Sequence, residues 1–307
     1  MTDAPGLMKG VLAAVLTPLK SDGSPDDARL ARHCRWLLAN GCDGLAVLGT
    51  TGEANSFCLK ERIRIVEKLA EAGIPGSALM PGTGDCALPN AITLTRVAVK
   101  CGVHGVLMLP PFYYKNVSDD GLFAYYAGVI DGVGDDRLRI YLYHFPQMSA
   151  TPISYGLIER LLKAYPGIVV GMKDSSGDFA NMKGAAKRFP GFAVLPGSDD
   201  LLLPMLKEGG AGCITACCNV VSALAAEVWR GFHAGRDVSA AHERLTAARK
   251  TISAYPLSSA LKAIMARITG DDAWLAVRPP LVTLDAAKRA ALFQALDGIG
   301  VTLPKAA

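Results

Sequence analysis

Long apolar runs, massed basic residues and clustered metal ligands are all missing from this chain of 307 residues. No apolar stretch approaches the roughly 18 residues that a membrane span needs, although the mean hydropathy is +0.26, so no membrane partner is expected. Lys and Arg number 32 against 28 Asp and Glu, a net charge of +4. The basic residues are scattered, which argues against nucleic acid as a partner. Five histidines stand singly at 33, 104, 144, 233 and 242, without the short spacing that puts two ligands on one face. Neither a metal nor any other cofactor is expected. The eight cysteines form no C-x-x-C pair, and no basic stretch followed by an apolar core stands at the amino end. The expectation is a cytoplasmic protein with reduced thiols. Apolar residues at 50% and charged residues at 20% exclude a disordered or fibrous chain, and the apolar surplus suits a protein that buries surface against copies of itself.

What is present is an alternation. Short, nearly continuous apolar runs at 11–17, 44–49, 77–82, 105–109, 139–144, 169–173, 193–196 and 212–215 read as parallel strands covered on both faces. Amphipathic stretches separate them, at about 59–72, 87–101, 119–131, 154–164, 178–188, 199–208 and 221–234. The first such stretch has its own punctuation: Ser24 as N-cap, Pro25 at the first helical position, Asp26 and Asp27 at the positive end, Leu30, Cys34, Leu37 and Leu38 on one face, and Gly41 as terminator. Eight strand–helix units predict an α/β fold, a (β/α)8 TIM barrel. A doubly wound sheet would need a glycine-rich turn after its first strand, and Pro18-Leu19-Lys20-Ser21 is no such turn. The barrel is assigned to residues 1–234. Residues 235–307 read as three further helices packed on the barrel or on a neighbouring subunit.

Barrel active sites lie where strands end, and six strand ends here carry polar residues. Lys173, in Gly171-Met172-Lys173-Asp174-Ser175-Ser176, sits on an apolar strand. Burial lowers an ammonium pKa and enlarges its neutral, nucleophilic fraction, which suits imine formation with a carbonyl substrate. A strand-end lysine that reaches solvent or pairs with Asp174 is the other reading. Gly49-Thr50-Thr51-Gly52-Glu53 offers amides and hydroxyls to an anion, or is an ordinary turn. Tyr143 is a proton relay or the aromatic end of a core strand. Asp199 and Asp200, after Gly197-Ser198, would bind substrate hydroxyls or simply open the next helix. Gly82-Thr83-Gly84 lacks the rest of any nucleotide fingerprint and counts as a turn.

Taken together, these motifs resemble the dihydrodipicolinate synthase/N-acetylneuraminate lyase family of class I pyruvate aldolases, from residue 11 to about 233. The resemblance implies Lys173 as the imine-forming nucleophile, the loop of Thr50, Thr51 and Gly52 as the holder of the pyruvate carboxylate, and Tyr143 as the relay. It also implies a hydroxyl chain from Tyr143 through Thr51 to a tyrosine lent by an adjacent subunit. That tyrosine is Tyr113 when aligned on Pro111, with Tyr114 left open. The active site then requires at least a dimer, and a homotetramer, a dimer of dimers, is the family's common form. Ser198, Asp199, Asp200 and Thr215 would line the acceptor end of the pocket.

The departures bear on substrate. Dihydrodipicolinate synthases place an arginine two residues past the proline of their Y-N-x-P segment, where it binds the carboxylate of aspartate semialdehyde. Met148 stands there in this chain, and a thioether cannot pair with a carboxylate. An apolar residue at this position resembles the catabolic aldolases. The expected activity is therefore cleavage of a hydroxylated 2-keto-3-deoxy acid to pyruvate and an aldehyde, or its dehydration on the same imine. Dihydrodipicolinate synthase is the alternative. His144 replaces the usual asparagine, and Phe112 lacks the hydroxyl found in lysine-regulated synthases. A metal-dependent aldolase would need the clustered histidines that are absent, and a non-catalytic binder would not need Lys173, Tyr143 and Thr51 together.

Overall fold

Seven strands form parallel ladders: β1 (Gly10–Ala14), β2 (Gly44–Ala46), β3 (Val106–Met108), β4 (Ile140–His144), β5 (Val169–Asp174), β6 (Ala193–Pro196) and β7 (Gly212–Thr215). They belong to a computed structural model that describes residues 6–300 and Leu303. β1 lies between β2 and β7, while β3 to β6 follow one another in a second sheet. The run expected as a third strand over 77–82 is reduced to single bridges, Leu45 to Leu79 and Gly82 to Leu107. Its start is taken by a 3-10 turn at Gly76–Ala78, and Pro81 has no N–H to give a neighbour. The bonds that remain still close the ring: Met80 and Gly82 donate to Leu45 O and Val47 O (2.9 and 2.8 Å), and Leu107 donates to Pro81 O at 2.9 Å. On the far side Ala211 N–H donates to Val194 O at 2.9 Å. The result is a (β/α)8 barrel.

Helices follow the strands: α1 (Asp27–Ala39), α2 (Leu59–Glu71), α3 (Leu88–Lys100), α4 (Asp119–Val133), a single turn α5 (Pro146–Ser149), α6 (Tyr155–Ala164), α7 (Phe179–Arg188), α8 (Leu202–Lys207) and α9 (Cys218–His233). Three more, α10 (Ser239–Ser253), α11 (Leu257–Thr269) and α12 (Ala286–Gly298), complete the described chain. The first helix begins later than its punctuation suggests. Asp26, not Ser24, is its N-cap and accepts from Arg29 N–H at 2.9 Å. Ser24 is occupied with Asp22, and Pro25 is held extended by a bridge to Leu19. The apolar face is as expected, with Leu30, Cys34 and Leu37 buried.

Inside the ring, Met8, Leu12, Ala14, Ala46, Met80, Leu107, Tyr141, Tyr143, Leu195 and Ile214 fill the lumen, while the outward residues pack under the helices. On β4 the alternation is regular: Ile140 and Leu142 outward, Tyr141 and Tyr143 inward. On β5 it breaks. The register steps from Ile140↔Val169 to Tyr141↔Gly171, so Val170 is an extra residue, a β-bulge. Val169 and Met172 both pack outward, three residues apart, and the residues between and after them change face. Gly171 meets the lumen so closely that a Cβ there would lie 2.7 Å from the Tyr141 ring. Lys173 pairs in register with Tyr143 and follows Gly171 onto the inner face.

A second anchor ties strand to helix layer. Asn219 Oδ1 accepts from Leu16 N–H (3.0 Å) and from His33 Nε2 (2.9 Å), and its Nδ2 donates to Ala14 O and Ala216 O. His33 is buried, and burial pulls its pKa down to about 4 against the opposing effect of the Asn219 bond. The unfolded chain therefore binds a proton below about pH 6.5 that the folded chain does not take up until about pH 4. Stability is lost as pH falls through that window, by about 3 kcal/mol at most. Thermal melts of wild type and His33→Gln at pH 7 and pH 4.5 should show the wild type ahead at pH 7 and the gap narrowing at pH 4.5. A gap independent of pH would remove His33 as the cause.

Candidate active site

Lys173 Nζ lies at the lumen mouth, 3.3 Å from the Tyr143 hydroxyl and 4.3 Å from the centroid of its ring. The side chain is buried, with 4% of its surface exposed, and among the described residues no carboxylate lies within ion-pair distance of it. Asp174, next along the strand, faces the other way: its carboxylate accepts from Ser176 N–H, Ser176 Oγ and Asn181 Nδ2 at 2.6–2.8 Å. The solvent-reaching or Asp174-paired lysine is thus not the one found. Tyr143 is equally buried and stacks against Phe145 at 5.8 Å between centroids.

The Gly49-Thr50-Thr51-Gly52-Glu53 segment brings a third hydroxyl to this pair. Thr50 Oγ1 is 3.4 Å from Tyr143 OH. The chain of hydroxyls leaving Tyr143 begins at Thr50, where the resemblance named Thr51; Thr51 is linked through its carbonyl, which accepts from Ser258 Oγ at 3.3 Å. The turn is held tightly. Thr17 Oγ1 donates to Gly52 O at 2.8 Å, and a Cβ on Gly52 would come within 2.7 Å of Val15 O, so only glycine lets the loop lie this close to β1. It runs into a 3-10 turn, Ala54–Ser56, rather than a longer helix. Arg62, buried and bonded to Asp85, Gly82 O and Gly84 O, props the neighbouring loop from below. A small cavity beside Thr50 and Tyr143 is lined by Asn55, Arg62, Gly84 and Leu109. A cavity of about 510 Å³ between α1 and α11, lined by Trp36 and Trp274 among others, has none of these groups.

Two expected pocket residues are elsewhere. Asp199 and Thr215 have no exposed surface. Thr215 Oγ1 donates to Asp199 Oδ1 at 2.6 Å, and Arg249 of α10 approaches the other oxygen at 3.7 Å. A barrel strand's last residue need not face the mouth, and this pair is turned into the helix layer, where burial raises the Asp199 pKa. Ser198 and Asp200 bond each other and remain half-buried at the rim. Met148, on α5, is 58% exposed, and Tyr113 and Tyr114 are exposed edge to face, 5.2 Å apart. Tyr113 does not reach Tyr143 within its own chain's described hydrogen bonds.

His144 and Lys262, the latter singled out by no motif, complete the surroundings. His144 faces outward and accepts from Ile153 N–H through Nδ1 at 3.1 Å. Burial holds its pKa below the usual range, with Asp174 pulling the other way. Lys262 of α11 is fully buried against Glu53. A lysine inside Ala260-Leu261-Lys262-Ala263-Ile264-Met265 was the available signal, since a charge amid apolar residues needs a partner.

Comparison with known proteins places this geometry. The profile of the dihydrodipicolinate synthetase family matches residues 7–299. An uncharacterized DapA-like lyase of Chloroflexus aurantiacus is 38% identical, with 95% of this chain and 97% of the relative covered. A 4-hydroxy-tetrahydrodipicolinate synthase of Agrobacterium fabrum is 31% identical, covering 96% and 99%. Among solved structures, dihydrodipicolinate synthase from Agrobacterium tumefaciens superposes with a TM-score of 0.88 at 32% identity, over 95% of this chain and 99% of that one. YagE, a prophage protein of the dihydrodipicolinic acid synthase family from E. coli K12 solved in complex with pyruvate, gives 0.88 at 25% identity, over 97% and 100%. With an amine, a phenol and a threonine hydroxyl converging at the mouth of this barrel, the chain belongs to the dihydrodipicolinate synthetase family, whose members are lyases of class I aldolase type.

Proposed function

We propose that Lys173 forms an imine with pyruvate or with the pyruvate-like end of a 2-keto acid. The observation that carries this reading is the buried Lys173 Nζ facing Tyr143 OH at 3.3 Å, with Thr50 Oγ1 3.4 Å beyond. The amine attacks the keto carbon, and Tyr143, handing on a proton, lets water leave the carbinolamine. The iminium is an electron sink. For a hydroxylated 2-keto-3-deoxy acid, removal of the proton from the C4 hydroxyl breaks the C3–C4 bond and releases an aldehyde. The remaining enamine takes a proton at C3, and water returns pyruvate and free Lys173. Loss of a C3 proton and the C4 hydroxyl from the same imine would instead dehydrate the substrate. Thr50, Thr51 and Gly52 hold the carboxylate. Ser198 and Asp200, half-buried at the rim, would meet substrate hydroxyls. The pyruvate bound in the E. coli relative supports the anchor, and the apolar, 58% exposed Met148 supports a substrate lacking a carboxylate at that end.

The exposed Tyr113 suits delivery to a neighbouring copy, so the working form proposed is a homo-oligomer, a dimer of dimers in the cytoplasm. No helix among the described residues is long and apolar enough to cross a membrane. A second reading, condensation of pyruvate with aspartate semialdehyde, is favoured by relatives named 4-hydroxy-tetrahydrodipicolinate synthase.

Borohydride reduction with pyruvate, followed by peptide mass spectrometry, should place a reduced pyruvyl adduct on Lys173 and none in Lys173→Ala. Tyr143→Phe should lower the turnover rate by roughly a hundredfold or more. An unmodified Lys173 at both neutral and mildly alkaline pH would end the aldolase mechanism. On the acceptor side, Met148→Arg is expected to gain condensation with aspartate semialdehyde that the wild type lacks. Efficient condensation by the wild type would establish the second reading in place of the first.

A further inference from the structure

Glu53 closes the carboxylate turn in a left-handed backbone conformation, φ 57°, which a residue other than glycine keeps only when its surroundings hold it there. Both carboxylate oxygens are held. Oε1 accepts from Lys262 Nζ, and Oε2 accepts from Arg278 N–H at 2.8 Å. Neither Glu53 nor Lys262 has exposed side-chain surface, and Lys262 also donates to Ala276 O at 2.6 Å. One turn earlier on α11, Ser258 Oγ donates to Thr51 O. Three bonds from beyond residue 250 thus converge on the loop whose Thr50 hydroxyl faces Tyr143. Stability alone does not call for an ion pair here, because apolar residues of similar volume commonly stabilise a core as well or better. A dry ion pair does something apolar packing cannot: it fixes direction, since the charged groups must meet at hydrogen-bond geometry.

We infer that Glu53 and Lys262 are a positioning pair that holds the Thr50-Thr51 turn in register with Lys173, so that the helices after residue 235 form part of the pyruvate-carboxylate site. The inference rests on the imine mechanism proposed above. Neither residue touches substrate; both act through the turn. Loosening the turn weakens capture of the carboxylate while leaving the amine and its relay in place. The signature is a rise in the pyruvate concentration that half-saturates imine formation, with little change in the saturated rate. Mere partial unfolding would lower the saturated rate and leave half-saturation where it was.

The test is borohydride trapping on Lys173 as a function of pyruvate concentration, in wild type, Glu53→Gln, Lys262→Met and Ser258→Ala, with melting curves and oligomer size measured alongside. Half-saturation is expected to rise about tenfold or more in the first two variants, the effect of losing one charge-assisted hydrogen bond. In Ser258→Ala, which leaves the buried charges paired, a rise of about threefold is expected with an unchanged melting temperature. In each the saturated trapping rate should stay within about threefold of wild type, as befits a change in capture alone. Half-saturation equal to wild type in a folded Glu53→Gln or Lys262→Met protein overturns the inference while the adduct itself stands. If those two do not fold, Ser258→Ala decides it by the same criterion. Absence of any adduct in the wild type overturns the imine mechanism, and the positioning role with it.

Discussion

Lys173 is an amine set into the wall of a barrel whose interior is largely apolar, with Leu12, Ala14, Met80, Leu107, Leu195 and Ile214 among its lining. Such a lumen offers an ammonium group little to replace its water, and what it does offer is Tyr143, through its hydroxyl at 3.3 Å and through its ring. The lysine is on this inner face because of the extra residue at Val170. Without that bulge the alternation that sends Val169 outward would send residue 173 outward as well, into the helix layer with Met172's neighbours. With it, Asp174 takes the outward place and is consumed by Ser176 and Asn181. One backbone irregularity thus separates the lysine from the carboxylate beside it in sequence.

The alternation of strands and helices was legible because parallel strands covered on both faces read as continuous apolar runs, and helices read by their period. The third strand reads as continuous for the same reason. Leu79 and Met80 look like any buried strand, while the defect lies in a proline's missing N–H and a turn at Gly76–Ala78. Ser24 has the residue type of a cap, but Asp26, two residues on, takes the role with a charged acceptor. The bulge left little trace in sequence, since Val-Val-Gly-Met-Lys-Asp is compatible with either facing; only Gly171, forced small by the Tyr141 ring, records it.

In the site itself, legibility followed the same division. Residue types were readable and directions were not. Lys173 and Tyr143 share the inner face as their motifs imply, whereas the choice between Thr50 and Thr51 depends on a turn whose torsions no spacing rule supplies. Asp199 and Thr215 are expected at the pocket, at or just after strand ends, in the company of the other motifs. Yet the hydroxyl donates to one carboxylate oxygen behind the wall, and Arg249 stands 3.7 Å from the other. A polar residue at a strand end has two places to go, and when a long-range partner such as Arg249 waits in the outer layer, the outer place wins.

That outer layer is also where the fold and the chemistry meet. Charges on α10 and α11 reach inward, Arg249 toward Asp199 and Lys262 to Glu53, and the two differ in what they can transmit. Asp199 sits behind β7, bonded to Thr215, two strands round the ring from Lys173. Glu53 ends the very turn that carries Thr50. The backbone there is in a left-handed conformation that costs on the order of 1 kcal/mol or more for a residue with a Cβ. Its side chain must therefore supply the difference through the bonds from Lys262 and Arg278. A barrel of eight strands alone would close the lumen and present the lysine. The turn that carries Thr50 is tied from outside the ring as well, by Lys262 and Ser258 of α11.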